Sequence, residues 1–212
     1  MTKQEKVKEI IKRLSKVYPH PRTALHYSNP LELLVATILS AQATDKLVNQ
    51  VTPVLFKKYK TARYYSQAKV QELDNDIRRV NFHFNKAKNI IAAAKIIDEE
   101  HDGKVPDTME ELDALPGVAR KTANVVLGNA FGKAEGVVVD THVMRLVQKL
   151  RLTKEKDPVK IEQDLMNIVP KDKWIDFSHL LILHGRDICP ARPHSCVGCP
   201  LGDLCPDSKE ES

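Results

Sequence analysis

The sequence predicts an all-α protein, and three observations carry that prediction. Apolar residues recur at helical spacing in segment after segment. Proline and glycine punctuation falls between these segments, at Pro19-His20-Pro21, Asn29-Pro30, His101-Asp102-Gly103, Pro116-Gly117, Gly132, Asp157-Pro158 and Pro170. Strand signals are almost absent; the one strand-like run is Val137-Val138-Val139.

Taken in order, Val7, Ile11 and Leu14 line one face of a charged N-terminal helix, "MTKQEKVKEIIKRL", which does not read as a secretory signal. Leu31 to Ala41 is the longest apolar stretch. Glu32, Thr37 and Ser40 interrupt it, and it is too short to span a bilayer, so it reads as a buried helix. Leu47–Leu55 and Ala87–Ile97 follow with the same spacing, then Val125–Ala130, Val143–Leu150, Ile161–Val169 and Phe177–Leu183. Ordinary helix lengths make this about eight to ten helices. The terminal "DSKEES" is expected to fray.

The chain has 212 residues, 42% hydrophobic and 29% charged, an ordinary globular composition with room for one or two domains. Net charge is +5, unevenly spread: residues 1–70 carry +9, residues 71–140 carry −4 and the remainder balances. A basic N-terminal third could attract a polyanion such as DNA; a solvated lysine-rich helix face explains the same charge. Neither a secretory signal nor a bilayer-spanning segment is read, so an intracellular protein without membrane attachment is expected.

All four cysteines fall near the C-terminus, at Cys189, Cys196, Cys199 and Cys205, in the pattern C-x6-C-x2-C-x5-C. Thiolates this close in sequence can converge on one inorganic centre. A disulfide framework needs an oxidising compartment and usually a smaller domain. A structural zinc site usually pairs two C-x2-C knuckles, and only one is present. A [4Fe–4S] cluster also takes four thiolates and tolerates uneven loops, so the spacing leans toward it.

Residues 115–123 read Leu-Pro-Gly-Val-Ala-Arg-Lys-Thr-Ala. Pro-Gly makes a tight turn between a helix ending near Leu115 and one starting near Ala119 or Arg120. Backbone N–H groups at the start of the second helix, with the positive end of its dipole, make an anion site suited to a DNA phosphate. A plain helix–helix corner is the alternative for Pro-Gly alone.

With these motifs the chain resembles endonuclease III, a family of helix-hairpin-helix DNA glycosylases with an iron–sulfur cluster. The resemblance runs through "LLVATILSAQATD" (33–45), "NKAKNI" (85–90), "LPGVARKTANVVLGNAFG" (115–132), "VDTHVMRL" (139–146), "LILHGRDIC" (181–189) and the cysteine spacing. It implies that Lys121 is the catalytic lysine, whose amine attacks C1′ of a deoxyribose, forms a Schiff base and leads to β-elimination. It implies that Asp140 is the catalytic aspartate, stabilising positive charge at C1′; an Asp directly before a helix is also a good N-cap. Cys189, Cys196, Cys199 and Cys205 would hold the [4Fe–4S] cluster.

Gln42, Phe82 and His83 match the residues that fill the gap left by a flipped nucleotide. Bland alternatives are a polar linker residue for Gln42 and a core aromatic for Phe82. Pro116, Gly117, Val118, Ala119 and Arg120 would form the hairpin that meets phosphate. Arg192 and His194, in the six-residue cysteine loop, would reach phosphate or lie on solvated surface. Two positions depart from the family pattern. Ala119 replaces a glycine, which is tolerable if its backbone is helical, and the wedge loop reads Asn81-Phe82-His83-Phe84 rather than Gly-(Leu or Phe)-Tyr.

The expectation is two helical domains with the active-site cleft between them: residues 23–133 with the hairpin, and residues 1–22 with 134–212 holding the cluster. The implied activity is bifunctional: a DNA glycosylase and AP lyase removing oxidised pyrimidines from double-stranded DNA, acting as a monomer in the cytoplasm, on the nucleoid. The alternatives are a monofunctional mismatch glycosylase of the same superfamily and a non-catalytic iron–sulfur DNA-binding or redox-sensing protein.

Overall fold

The computed structural model describes residues 1–209, and all regular structure among them is helical. The chain forms two compact units. One is Thr23–Glu135; the other joins Met1–Arg22 to the chain from Gly136 onward.

The Thr23–Glu135 unit is built around α2 (Pro30–Ser40). Asn29 caps it, accepting from Glu32 N–H at 3.0 Å, and Pro30 opens it, where a missing N–H costs nothing. Every residue from Leu33 to Leu39 is buried, so α2 is covered on all sides. Its neighbours are α3 (Asp45–Lys58), α6 (His83–Glu100) and α8 (Arg120–Phe131). Each fully buried leucine contributes about 1.5–3 kcal/mol relative to exposure, which makes α2 the spine of this unit. The short helices α4 (Ala62–Ser66) and α5 (Val70–Asp76) lie on α6, and α7 (Met109–Asp113) lies on α8. Tyr59 stacks on Tyr65 with ring centroids 4.8 Å apart, closing the α3–α4 corner.

Periodicity does not find the three short helices, although the Pro116-Gly117 turn implies a helix ending near Leu115, where α7 lies. Five to seven residues are too few to show a helical period. Only α7 has a local signature, Thr108-x-x-Glu111, with the Thr108 hydroxyl accepting from Glu111 N–H at 3.3 Å.

In the second unit, α1 (Lys3–Val17) opens with a reciprocal Thr2/Glu5 capping box and buries Val7, Ile10 and Leu14 completely. It packs on α10 (Pro158–Ile168) and α11 (Trp174–Asp187); α9 (Thr141–Lys149) also packs on α11. Two basic residues of α1 are spent internally. Lys6 Nζ donates to Leu150 O at 2.6 Å, and Arg13 donates to Pro200 O at 3.1 Å and to the Asp203 carboxylate at 3.0 Å. The cysteine segment after α11 is thereby tied to the first helix.

Val137-Val138-Val139, the one strand-like run, forms no strand, in keeping with the all-α expectation: it runs as an irregular connection with Val137 and Val139 buried, and no strand exists among the described residues to pair with it. One sequence expectation is corrected. The tail is not frayed at its start. Pro206–Lys209 forms a 3-10 turn, the Ser208 hydroxyl donates to Cys205 O at 2.7 Å, and Arg151 pairs with Asp207 at 3.0 Å. The rest of "DSKEES", residues 210–212, lies outside the described residues.

Between α7 and α8 the chain turns at Leu115–Val118, closed by Val118 N–H to Leu115 O at 3.0 Å. Pro116 and Gly117 occupy its centre, and Gly117 has φ +78°, the region a type II turn requires at its third position. A Cβ on Gly117 would also lie 2.8 Å from Asn89 Cβ, on α6. Gly117→Ala should therefore destabilise the protein by about 1–3 kcal/mol, read as a lowered denaturation midpoint in urea; an unchanged midpoint would mean that the hairpin can move off α6 freely.

Candidate functional site

The hairpin presents α8 by its N-terminus. Ala119 is the N-cap, with extended backbone at φ −102°, ψ 166° and no side-chain cap hydrogen bond. The condition set for Ala119, a helical backbone, is thus not met. A negative φ accommodates a methyl group without strain, so alanine fits for a different reason. An alanine cap forgoes about 1 kcal/mol relative to Ser, Asp or Asn and offers the first turn no side-chain acceptor of its own, the arrangement suited to an external anion. Arg120 and Lys121 begin the helix and are both exposed; Pro116 is half-buried, Gly117 exposed and Val118 buried.

Gln42 follows α2, and Phe82 is the N-cap residue of α6. Both are non-glycine residues in the left-handed region, at φ +55° and +57°. Such a conformation costs roughly 1–2 kcal/mol for an L-residue and persists only where the surroundings impose it. The departure at Asn81 has a visible use here: Asn81 Nδ2 donates to Gln42 O at 2.9 Å, joining the two loops. Beneath them lies Lys86, only 6% exposed, whose Nζ donates to Leu39 O at 2.8 Å and Ala41 O at 2.5 Å. Burial pushes its ammonium below the ordinary lysine range. Phe82 is 60% exposed, so it is not a core residue. His83 turns inward to the Asp74 carboxylate, while Lys88 Nζ sits 4.7 Å from the centre of the Phe84 ring. One helix, α6, begins with the Phe82–His83 loop and carries Asn89 against Gly117.

Asp140 belongs to the other unit, where it is the N-cap of α9 and accepts from Val143 N–H at 2.8 Å. It is half-buried. The buried His179 of α11 lies within its field: burial holds the imidazole below its ordinary value, against the pull of Asp176 and Asp140. The sequence reading missed His179, since nothing local marks it.

The same helix leads to the cysteines. Cys189, Cys196, Cys199 and Cys205 all line one cavity, together with Leu146, Leu150, Ile188 and Leu201. Among the described residues, no three Cys, His, Asp or Glu side chains converge tightly enough for a single metal ion. Four thiols thus border one shared, largely apolar space. Arg145 Nη1 donates to Cys189 Sγ at 3.5 Å, and its Nη2 donates to Cys189 O at 2.6 Å. His184 Nε2 lies 3.8 Å from Cys199 Sγ. Burial and the Arg145 charge push His184 down to about 4, keeping it neutral near pH 7. Burial pushes the Cys199 thiol up. Arg145 thus supplies an N–H that would meet thiolate charge, and His184 would do the same in its Nε2–H tautomer. Neither was singled out from sequence; Arg145 stands in the quoted "VDTHVMRL" and His184 in "LILHGRDIC". His194 faces the cysteine cavity, and Arg192 is exposed.

Residues 35–171 match the family described as HhH-GPD superfamily base excision DNA repair protein. Endonuclease III of Synechocystis sp. is 51% identical over 208 residues, covering 98% of this chain and 95% of that protein. Endonuclease III of Escherichia coli K12 is 42% identical over 197 residues, covering 93% of each chain. A solved structure of a trapped endonuclease III–DNA covalent intermediate superposes with a TM-score of 0.92 at 40% identity, covering 99% of this chain and 98% of that one. A thermostable thymine-DNA glycosylase shares the fold, with a TM-score of 0.86 at 23% identity over 97% of this chain and 98% of that one. An exposed lysine at an open helix N-terminus, an aspartate cap and a four-cysteine cavity thus occur in a sequence with endonuclease III relatives along nearly its whole length, and the chain belongs to the endonuclease III family within the HhH-GPD superfamily.

Proposed function

We propose that this chain is a base-excision-repair enzyme, a bifunctional DNA glycosylase and AP lyase that removes oxidised pyrimidines from double-stranded DNA. The observation that carries the reading is the hairpin: an uncapped α8 N-terminus with Lys121 exposed in its first turn. Phosphate docks on the Gly117–Arg120 backbone and brings Lys121 to the sugar. The neutral Lys121 amine attacks C1′ as the bond from C1′ to the base breaks, and the base leaves with the electron pair. Loss of the sugar-ring C1′–O bond then gives an iminium between Nζ and C1′. Removal of a C2′ proton breaks the C3′–O bond and cuts the strand. Asp140 places its carboxylate charge where positive charge develops at C1′, while its Oδ1 holds α9. Gln42 and Phe82 occupy the space the extruded nucleotide leaves. Lys121 belongs to the Thr23–Glu135 unit and Asp140 to the other.

The four cysteines would hold a [4Fe–4S] cluster, with Arg145 and His184 offering N–H groups to the sulfurs. Its contribution would be to fix the Cys189–Cys205 segment, leaving Arg192 free to meet phosphate. Substrate is damaged or abasic duplex DNA, bound by a monomer. No helix among the described residues is long and apolar enough to cross a membrane, and cytoplasmic action on the nucleoid is the setting proposed.

Lys121→Gln should lose base release and strand cleavage together and retain DNA binding. Borohydride trapping on a thymine-glycol duplex checks this, and a covalent complex formed by the variant would assign the chemistry to another amine. Asp140→Asn keeps an oxygen for Val143 N–H, so it should slow single-turnover excision by roughly 100-fold or more with little change in thermal stability. Asp140→Ala should add about 1 kcal/mol of destabilisation. An undiminished excision rate in Asp140→Asn would leave the carboxylate only its capping role. Protein prepared without oxygen should contain iron and acid-labile sulfide in equal amounts; stoichiometric zinc without sulfide would exclude the cluster.

A further inference from the structure

We propose that Asn81 is a positioning residue for nucleotide extrusion. Its side-chain amide ties the Gln42 loop to the Phe82 loop, so that the two residues filling the opened duplex enter it as one preset pair. This inference rests on the glycosylase reading above and extends it to a residue that touches neither the sugar nor the leaving base.

The argument begins with backbone conformation. Gln42 and Phe82 are both held in the left-handed region, without the glycine that normally occupies it. Each loop is fixed from more than one side. Lys86 holds Leu39 O and Ala41 O, immediately before Gln42. The His83–Asp74 contact and the start of α6 hold the chain immediately after Phe82. Lys86 belongs to α6 and so ties the end of α2 to the base of the Phe82 loop; Asn81 Nδ2 to Gln42 O, at 2.9 Å, adds the bond that joins the two exposed loops directly.

Stability alone gives little reason for that bond. Asn81, Gln42 and Phe82 are all exposed, so water could satisfy the Gln42 carbonyl at small cost. Function supplies a reason. Extrusion unstacks a base pair, and the vacated space must be filled from both loops at once. Ordering the two loops before DNA arrives removes that ordering cost from the binding step. The benefit falls on substrates whose bases must be forced apart and vanishes where they are already apart.

The test compares single-turnover excision of thymine glycol in a fully paired duplex with excision of the same lesion inside an unpaired bubble. Asn81→Ala should lower the rate on the paired substrate roughly tenfold, equivalent to about 1.4 kcal/mol, and leave the bubble rate within about twofold. Asn81→Gln, which restores an amide on a longer stem, should recover part of the loss. The fluorescence of 2-aminopurine placed beside the lesion should report weaker unstacking by Asn81→Ala in the same paired duplex. An equal fall on both substrates, or a paired rate unchanged from the unaltered chain, overturns the positioning role and leaves the glycosylase reading intact. Failure of the unaltered chain to excise from either substrate overturns the glycosylase reading, and this inference with it.

Discussion

An ammonium group leaves water only where acceptors replace the solvent, and Lys86 meets that requirement by holding the last carbonyls of α2. The arrangement matters because of where those carbonyls are. A helix ends with unsatisfied C=O groups and a partial negative charge. A buried cation from α6 satisfies both and joins the spine of the Thr23–Glu135 unit to the helix that supports its loops. From α6 the consequences run in two directions: to the Phe82 loop at its first turn, and through Asn89 to Gly117 in the hairpin. Three segments distant in sequence are set by one helix whose position is fixed from beneath.

Long helices with apolar faces were legible in the sequence because periodicity over ten or more residues is hard to produce otherwise. The hairpin was legible because Pro116-Gly117 permits few backbone paths. What could not be read was whatever depends on partners far along the chain. Left-handed conformations at Gln42 and Phe82 have no local signal, since neither residue favours them; the contacts of Asn81 and Lys86 impose them. Arg145, His184 and Arg13 look like ordinary surface or helix residues until the fold brings them to the cysteine segment. For Ala119 the residue was read as acceptable for a helical backbone, and it is acceptable because its extended backbone keeps φ negative.

Charge counting shows the same limit. The N-terminal third carries +9, yet Lys6, Arg13 and Lys58 are engaged within the protein, on Leu150 O, Asp203 and Asp76. Residues 1–22 and 23–70 also belong to different units. A count of positive charge along the sequence therefore overstates the charge left for a polyanion. Under the proposed function, the cations that would bear most directly on DNA are few and local, at the start of α8 and at Arg192.

The unit that contains α1 is completed only by residues from Gly136 onward. On the ribosome, Lys6 waits for Leu150, and Arg13 waits for Pro200 and Asp203, 187 and 190 positions later. At ~5–20 residues per second, that interval is about 10–40 s. The apolar face of Val7, Ile10 and Leu14 has no native partner until α10 and α11 have followed, while the Thr23–Glu135 segment carries a core of its own. Biogenesis of this protein is thus ordered by its chain path. The core of the hairpin unit is complete in sequence by Glu135, whereas α1 is covered only once α10 and α11 have followed it.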